Sequence, residues 1–448
     1  MKKFIESISN VWKIEELKNR ILITLGLLLV YRFGAHVTLP GIDATQLTGL
    51  AGQTKNGLGS ILDMFTGGAF SKASVFALGI MPYISASIVV QLMGIAIPYL
   101  QKLQNDGESG RKKINQITRW LTIAITLVQG PTYIYNLYRT LPSNAFLLGF
   151  NSPEFLFSSV IILVTGTIFA MWLGEKITDK GIGNGISLLI MVGILARLPQ
   201  AFIQEFTTRV TNNNGGPMLL VIEIIVWLLV IISCVLLTMA VRKIPVQYAR
   251  RTTTGDYEQD LAGGNRQWIP LKLNASGVMP IIFAQAIMFI PAAVAGLSKS
   301  DTSQSIVGAF SNMFGFWYNF VFATLIIVFT FFYTAITVPT NKMADDLKRS
   351  GGFIPGVRPG AETSDFLDKV MSLITFPGSL FLALIAVFPA IVVSIMDVQQ
   401  SWAMFFGGTS LIIMVGVAID TIQQINSYLL NKHYDGLMKT GKNRKAVA

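Results

Sequence analysis

The sequence is short of charge. Lysine, arginine, aspartate and glutamate make up 13% of the 448 residues, about half of the roughly 25% that soluble domains carry. Hydrophobic residues account for 52%, and the mean hydropathy is +0.56. This composition excludes a string of soluble domains and predicts a polytopic membrane protein.

Cysteine and histidine are nearly absent. Cys234 is the one cysteine, so no internal disulfide can form, and two histidines are too few for a His-rich metal cluster. No GxxxxGK(S/T) phosphate loop occurs. The cluster GIGNG at 181–185 lacks the third glycine of GxGxxG, because Ile186 stands there; we interpret it as a tight turn followed by a helix start. We therefore expect no cofactor, no bound metal and no catalysis.

Ten apolar stretches approach the roughly 20 residues that a membrane-spanning helix needs. These predicted spans, numbered one to ten, lie at about 21–38, 74–98, 118–138, 155–173, 184–204, 217–241, 273–297, 316–338, 370–393 and 402–424. An even number of spans places both termini on one side of the membrane.

The distribution of positive charge sets the orientation. With the N-terminus inside, the inner segments hold 28 of the 35 lysines and arginines and the outer segments hold six. Positive residues concentrate on the cytoplasmic side of membrane proteins, so both termini are predicted to be cytoplasmic. Residues 1–20 have apolar side chains at helical spacing with lysines among them, which predicts an amphipathic helix on the anionic inner surface. A solvated tail is the alternative.

Residues 57–72, GLGSILDMFTGGAFSK, fit no span. They are moderately apolar, rich in glycine and too short to cross. Irregular backbone at membrane depth is tolerated only inside protein or beside a water cavity. A short re-entrant helix and a surface loop are equally consistent with these residues alone.

An internal echo relates the two halves of the chain. GIMP at 79–82 recurs as GVMP at 277–280, near the starts of spans two and seven. Five spans separate the copies, so the second half would be inverted in the membrane. Inverted repeats with matching glycine- and proline-interrupted helices indicate a pathway at the repeat interface.

Polar and aliphatic residues follow these echoes. Hydroxyl and amide side chains along spans two, three and seven predict a seam of weak interhelical bonds that could part, although static helix packing is the commoner use of such residues; they are Ser85, Ser87, Gln91, Gln129, Asn274, Ser276 and Gln285. Ile80, Ile84 and Ile88 line one face of span two, and Ile282 is available on span seven. Aliphatic side chains facing an aqueous passage resist wetting, whereas an isoleucine stripe alone is more often a lipid-facing or core surface.

Two predicted inner loops are long. The loop at 242–272 alternates around PVQYA and has a GG turn before RQWIPL, which predicts a β-hairpin. The loop at 339–369 carries GGFIPGVRPG, whose prolines and glycines shape a tip bearing Arg358. With the loop at 99–119 they form a basic inner surface that could bind RNA phosphate, although positive-inside bias alone explains the charge.

Several ordered motifs together resemble the SecY family, the pore subunits of bacterial Sec protein translocases, over nearly the whole chain. They are PGID at 40–43, MFTGGAFSKASVFALGIMPYISASI at 64–88, GESGRKK at 107–113, MWLGEKIT at 171–178, GIGNGIS at 181–187, IPLKLNASGVMP at 269–280, FYTA at 332–335, GGFIPGVRPG at 351–360 and GGTSLII at 407–413.

The resemblance implies an all-α membrane fold of ten helices in two inverted five-helix halves, with a short re-entrant plug helix. The implied divisions are the amphipathic helix 1–20, an N-terminal half 21–216 with the plug at 57–72, a C-terminal half 217–424 with loops 242–272 and 339–369, and a basic tail 425–448. The implied function is a gated channel that passes unfolded secretory chains and releases apolar segments sideways into lipid.

The resemblance also implies site residues. The pore ring falls on Ile80, Ile84, Leu189, Ile282 and Ile413, with Leu189 where isoleucine is common in the family. The plug falls on Leu58, Ile61, Leu62, Met64, Phe65, Gly67 and Gly68. The lateral gate falls on Ser85, Ser87, Gln91, Gln129 and Asn274. The residues that would dock the motor or the ribosome are Arg250, Arg251 and Arg358. The segment TTTGDYEQD in the loop at 242–272 is less basic than the corresponding segment of many relatives.

The implied partners are the small subunits SecE and SecG, the ATPase motor SecA, the ribosome and its RNA, preproteins with signal sequences, SecDF, YidC and the lipid bilayer of the inner membrane. Two rival interpretations remain open at this point. A secondary transporter would need paired ionisable residues at mid-membrane, and the candidates Arg32, Glu175, Glu223 and Asp420 form no obvious pair. A membrane-anchored RNA-binding protein would need no pore.

Overall fold

The computed structural model describes residues 12, 14–47, 63–146, 152–211, 216–248, 266–285, 287–288 and 313–444. Its helices are α1 (Glu15–Gly34), α2 (Met81–Ala96), α3 (Pro98–Asn105), α4 (Gly107–Thr140), α5 (Pro153–Lys180), α6 (Gly185–Thr211), α7 (Gly216–Met239), α8 (279–285), α9 (Phe316–Thr337), α10 (Thr340–Arg349), α11 (Ala361–Met396), α12 (Gln400–Ala403) and α13 (Gly408–Arg444). The strands are β1 (Val241–Tyr248), β2 (Arg266–Lys272) and β3 (Gly352–Phe353).

Six of the described helices are long and apolar enough to cross a membrane, and the pair α2 and α3, bent by 104°, makes a seventh if counted as one span. Spans one and three lie in α1 and α4, which charged and polar side chains interrupt. Span seven is described only as far as residue 288. The described helices therefore accord with the predicted spans in order and type.

The residues group into two units. Unit 1 contains the described residues within Met1–Asn214, Gln399–Trp402 and Val417–Ala448, and unit 2 those within Gly215–Val398 and Ala403–Gly416. In unit 1, aromatic and aliphatic side chains from the 39–47 loop, the 70–77 turn region, α4 and α5 form one buried cluster.

Unit 2 carries a small three-stranded sheet with the order β2-β1-β3. β1 and β2 pair antiparallel, with Pro245 opposite Trp268, so the predicted hairpin is present. Ile244 and Val246 point from β1 into a core that they share with Leu347 of α10 and Leu367 of α11. This packing joins both long loops into one folded platform.

The structure corrects the start of span two. The sequence predicted a helix from residue 74, but turns occupy residues 75–80 and α2 begins at Met81. Pro82 stands in the first turn of the helix, where its missing N–H costs nothing. Upstream of it Ala73 and Val75 pair with the 37–39 backbone instead of continuing a helix.

The GIGNG turn is placed as the sequence predicted. Gly183 has φ +80°, α6 begins two residues later, and the Asn184 side chain accepts the Ile186 N–H at 3.2 Å. Side chains of α1 and α13 hold the turn, since Thr24 Oγ1 accepts the Ile182 N–H and Gln424 Oε1 accepts the Gly183 N–H.

Candidate functional site

The described part of the predicted plug is residues 63–72, which we call the plug segment. It makes one helical turn at 63–65 and continues as turns. The four predicted plug residues within it, Met64, Phe65, Gly67 and Gly68, are all buried. Leu58, Ile61 and Leu62 lie outside the described residues.

Glycines on the surrounding helices allow the backbone of this region to approach closely. A Cβ on Gly193 of α6 would lie 2.7 Å from the Phe65 carbonyl oxygen, and a Cβ on Gly67 would lie 2.8 Å from the Gly193 Cα. Gly166 of α5 faces the Val75 carbonyl in the same way, and Gly34 of α1 faces the Phe76 ring. Three helices thus wrap the irregular backbone in protein, the condition under which such backbone is stable at membrane depth.

Hydrogen bonds satisfy the backbone of the region as well. The Leu39 N–H donates to the Ala73 carbonyl at 2.8 Å, and the Val75 N–H donates to the Val37 carbonyl at 2.9 Å. The Tyr133 hydroxyl of α4 donates to the Phe70 carbonyl at 2.8 Å. An unpaired buried backbone group is costly, so these bonds fix residues 70–75 in place.

Charged side chains hold the other end of the plug segment. Asp63 is fully buried and forms an ion pair with Arg197 of α6. Its Oδ1 also accepts the Ser71 N–H at 2.7 Å. Arg32 of α1 donates from Nη1 to the Gly67 carbonyl at 3.2 Å. The sequence analysis assigned neither arginine to the plug. The available indication was that burying an arginine in an apolar membrane helix costs free energy, so such residues are usually functional.

We expect Gly193→Ala to displace the plug segment. The added methyl group cannot fit 2.7 Å from a backbone oxygen, and overpacking of this kind typically costs about 1–3 kcal/mol. The measurement is the melting temperature in detergent together with resting ion flux through reconstituted protein. Gly26→Ala on α1 is the control, because beyond the neighbouring backbone of its own helix no atom lies within 4 Å of the new methyl group. Equal melting and equal flux for the two variants would contradict the close approach.

The predicted pore-ring residues are divided between the two units. Ile80, Ile84 and Leu189 belong to unit 1, and Ile282 and Ile413 belong to unit 2. Ile80, Leu189 and Ile413 are buried, whereas Ile84 and Ile282 are partly exposed. Each unit therefore carries one partly exposed isoleucine of the predicted ring.

The two echo motifs adopt the same local structure. Gly79 has φ +54° and Gly277 has φ +63°, a region of backbone conformation that glycine enters without strain. Helix begins two residues later in both, at Met81 and at Met279. The echo is therefore a structural repeat as well as a sequence repeat.

The first helical bonds of the two copies also match. The Ile84 N–H donates to the Ile80 carbonyl at 3.0 Å, and the Ile282 N–H donates to the Val278 carbonyl at 3.3 Å. Ile84 and Ile282 therefore occupy equivalent positions, one turn into their helices. Two predicted ring residues therefore hold the same backbone position in the two copies of the repeat.

The predicted gate residues form short local pairs. On α2, Gln91 Nε2 donates to Ser87 Oγ at 3.2 Å. In unit 2, Ser276 Oγ donates to Asn274 Oδ1 at 3.3 Å, and both residues are buried. Ser85 is partly exposed on α2, and Gln129 is exposed on α4, which packs against α2.

The predicted docking residue Arg358 projects from the platform of unit 2. Its side chain is 87% exposed, 3.7 Å from Glu362, and its carbonyl accepts the Thr363 hydroxyl at 2.8 Å. Arg250 and Arg251 lie outside the described residues. Among the residues that the structure describes, no group of three or more histidines, cysteines or carboxylates is placed to hold a metal ion.

Comparison with known proteins is consistent across sequence and structure. The SecY family profile matches residues 74–422. Protein translocase subunit SecY of Haemophilus influenzae is 40% identical over 427 residues, which cover 95% of this chain and 94% of that one. The same-named protein of Thermotoga maritima is 38% identical, covering 98% and 99%.

A solved structure has the same fold. It is a SecY protein whose plug domain is said to stabilise the closed state of the translocation channel and to maintain a membrane seal. Its TM-score with this chain is 0.61 at 18% sequence identity, and the match covers 92% of both chains. This likeness confirms the predicted all-α membrane fold, and the ten predicted helices are consistent with it.

Proposed function

The chain belongs to the SecY family, and from this premise we propose that it forms the gated channel through which unfolded secretory polypeptides cross the membrane. The match to SecY over nearly the whole chain carries this conclusion. It is a multi-pass membrane protein and the channel subunit of a protein translocase. We place it in the inner membrane with both termini in the cytoplasm, as the excess of positive charge in the inner segments supports.

The seal is assigned to the aliphatic ring and the plug segment. Ile80, Ile84, Leu189, Ile282 and Ile413 would close around the passage, because a constriction without polar groups resists wetting. The plug segment would lie against it from the outer side. The close packing of residues 63–72 against α6 supports a seated plug in the closed channel.

The gate is assigned to a seam that has spans two and three on one side and spans seven and eight on the other. A signal sequence would part this seam, where Ser85, Ser87, Gln91, Gln129 and Asn274 offer only weak interhelical bonds. Hydrophilic chain would then pass the ring. Segments rich in leucine, isoleucine and phenylalanine would leave sideways, since they partition favourably into lipid.

The energy for transport would come from partners. We assign the cytoplasmic platform, with Arg358 at its tip and Arg250 and Arg251 in the hairpin loop, to docking of SecA or the ribosome and its RNA. A relative of the same fold has been solved as Sec61 in a canine ribosome–channel complex, with a TM-score of 0.55 and 17% identity over 92% of both chains. SecE and SecG would pack on the membrane faces, and SecDF and YidC would act with the assembled channel.

Transport by reconstituted protein tests the proposal. The chain is co-purified with its small subunits, placed in vesicles and supplied with SecA, ATP and a radiolabelled preprotein. We expect protease-protected preprotein that depends on the signal sequence, and a photo-crosslink from the stalled chain to Ser87 on α2. The control is the same preprotein without its signal sequence.

Other outcomes favour the rivals. Substrate-driven proton uptake without preprotein protection would indicate a secondary transporter, which couples transport to buried ionisable groups. Binding of ribosomal RNA without any protected preprotein would indicate a membrane-anchored RNA-binding protein.

A further inference from the structure

The ion pair between Asp63 and Arg197 joins the plug segment to a membrane helix. Asp63 is fully buried, whereas the Arg197 side chain keeps 31% of its exposure. Asp63 also accepts the Ser71 N–H within the segment. The carboxylate therefore belongs to the plug segment, and its counter-charge belongs to α6.

A second ion pair lies wholly within α6. Glu205 and Arg209 are 1% and 3% exposed, lie 2.8 Å apart and are one helical turn from each other. Both residues move with the helix, so no displacement of another segment can separate them. Among the ion pairs of the described residues, Asp63–Arg197 is the one that a movement of the plug segment would break.

We propose that Arg197 is the positioning residue of the plug: its guanidinium pairs with Asp63 only while the plug is seated, and this pair sets the balance between closed and open channel. The proposal rests on the channel function given above. Arg32 supports the seated state through the Gly67 carbonyl, and Gly193 provides the space that the seated backbone needs.

The environment of the pair makes it releasable. A buried ion pair is costly to break when one charge stays buried without its partner. Here the departing segment would carry Asp63 away from α6, and Arg197 is already partly exposed, so both charges could regain water in the open channel. Removing the charge of Arg197 leaves Asp63 buried without its partner in the seated state alone, and removing the charge of Asp63 removes the attraction that holds the segment to α6. Either change makes the closed channel less favourable and shifts the population to the open one.

The test measures resting ion flux in vesicles containing the full complex, without preprotein, for Asp63→Asn, Arg197→Gln and the double variant. We expect each single variant to raise the flux about tenfold or more, the factor that corresponds to 1.4 kcal/mol. The double variant should be no leakier than the worse single variant, because both changes remove the same interaction. Arg197→Lys should stay close to wild type.

The control is Arg209→Gln, which breaks a more deeply buried ion pair that lies wholly on the same helix. It should lower the melting temperature in detergent without raising resting flux. Preproteins with a defective signal sequence give a second measurement, and they should cross through Asp63→Asn more efficiently than through wild type. General loss of folding would lower this transport, so a poorly folded variant cannot mimic the expected gain.

Three outcomes would overturn the proposal. They are an unchanged ion flux in both single variants, a flux increase in the double variant equal to the product of the two single increases, or equal flux for Arg197→Gln and Arg209→Gln. In each case wild-type protein still transports an intact preprotein, so the channel function stands. Failure of the wild type to protect any preprotein would instead remove the function itself.

Discussion

Reversing the charge of Arg358 is expected to abolish SecA-driven translocation while leaving the protein inserted and folded. The guanidinium is 87% exposed, so the substitution Arg358→Glu disturbs no core. A charge pair that is desolvated at an interface typically loses about 2–5 kcal/mol or more when one partner is removed. A glutamate adds repulsion to that loss, and we expect at least a hundredfold fall in motor-driven transport.

The loop around Arg358 is built to hold its position. Gly356 has φ +86° and Gly360 has φ +115°, conformations that other residues adopt only with strain. The Arg358 carbonyl accepts the Thr363 hydroxyl, which ties the tip to α11. Such a tip presents Arg358 on an ordered backbone, so little backbone conformational entropy is left to lose on binding.

Arg349→Glu is the matched control for this experiment. Arg349 is also exposed, at the end of α10 in the same platform, and the change in charge is identical. SecA binding to vesicles and ATP-dependent preprotein protection are measured for both variants. If Arg358→Glu transports as well as Arg349→Glu, the docking role of the tip is lost.

The platform shows what alternation along a sequence can predict. The hairpin of β1 and β2 was predictable because PVQYA and RQWIPL alternate and a glycine pair lies between them. β3 has only two residues, Gly352–Phe353, and pairs with Gln247 and Tyr248. A strand that short has no period of its own, so only the folded chain could place it.

The plug region shows where local pattern fails. Asp63 and Arg197 are separated by 134 positions in the sequence, and no helical or strand period relates them. The start of α2 was predicted seven residues too early. An apolar sequence is expected both for a membrane helix and for turns buried among α1, α5 and α6, so hydropathy alone does not distinguish the two. By contrast, Glu205 and Arg209 have the i,i+4 spacing that predicts a pair on a helix, and a search for that spacing would have found them.

The repeated motif predicts the local structure at the start of both helices. Proline in the first turn and a glycine just before it fix how a helix can begin, so GIMP and GVMP specify the same start in both halves. This local rule made the positions of Ile84 and Ile282 predictable as equivalents. The packing of α4 against α2 depends on long-range contacts, which the motif does not encode.

Replacing Ile84 with serine is expected to raise resting ion conductance. Ile84 lies one turn into α2, above Ile80, and is partly exposed. A hydroxyl in an aliphatic constriction gives water a hydrogen-bonding partner there and weakens the barrier that dewetting provides. We expect an increase of several-fold in a channel whose plug is seated, and a larger increase with the added substitution Asp63→Asn, because the plug then no longer covers the altered ring.

Val89→Ser is the control on the same helix. Val89 is 39% exposed and lies five residues beyond Ile84, on a different face of α2, so its loss of apolar surface should not reach the passage. Ion flux is measured in vesicles for both serine variants, first in the otherwise wild-type chain and then in the chain that also carries Asp63→Asn. A seated plug could hide a leaking ring in the first background but not in the second. Equal flux for Ile84→Ser and Val89→Ser in the second background would therefore remove Ile84 from the ring, whatever the plug does.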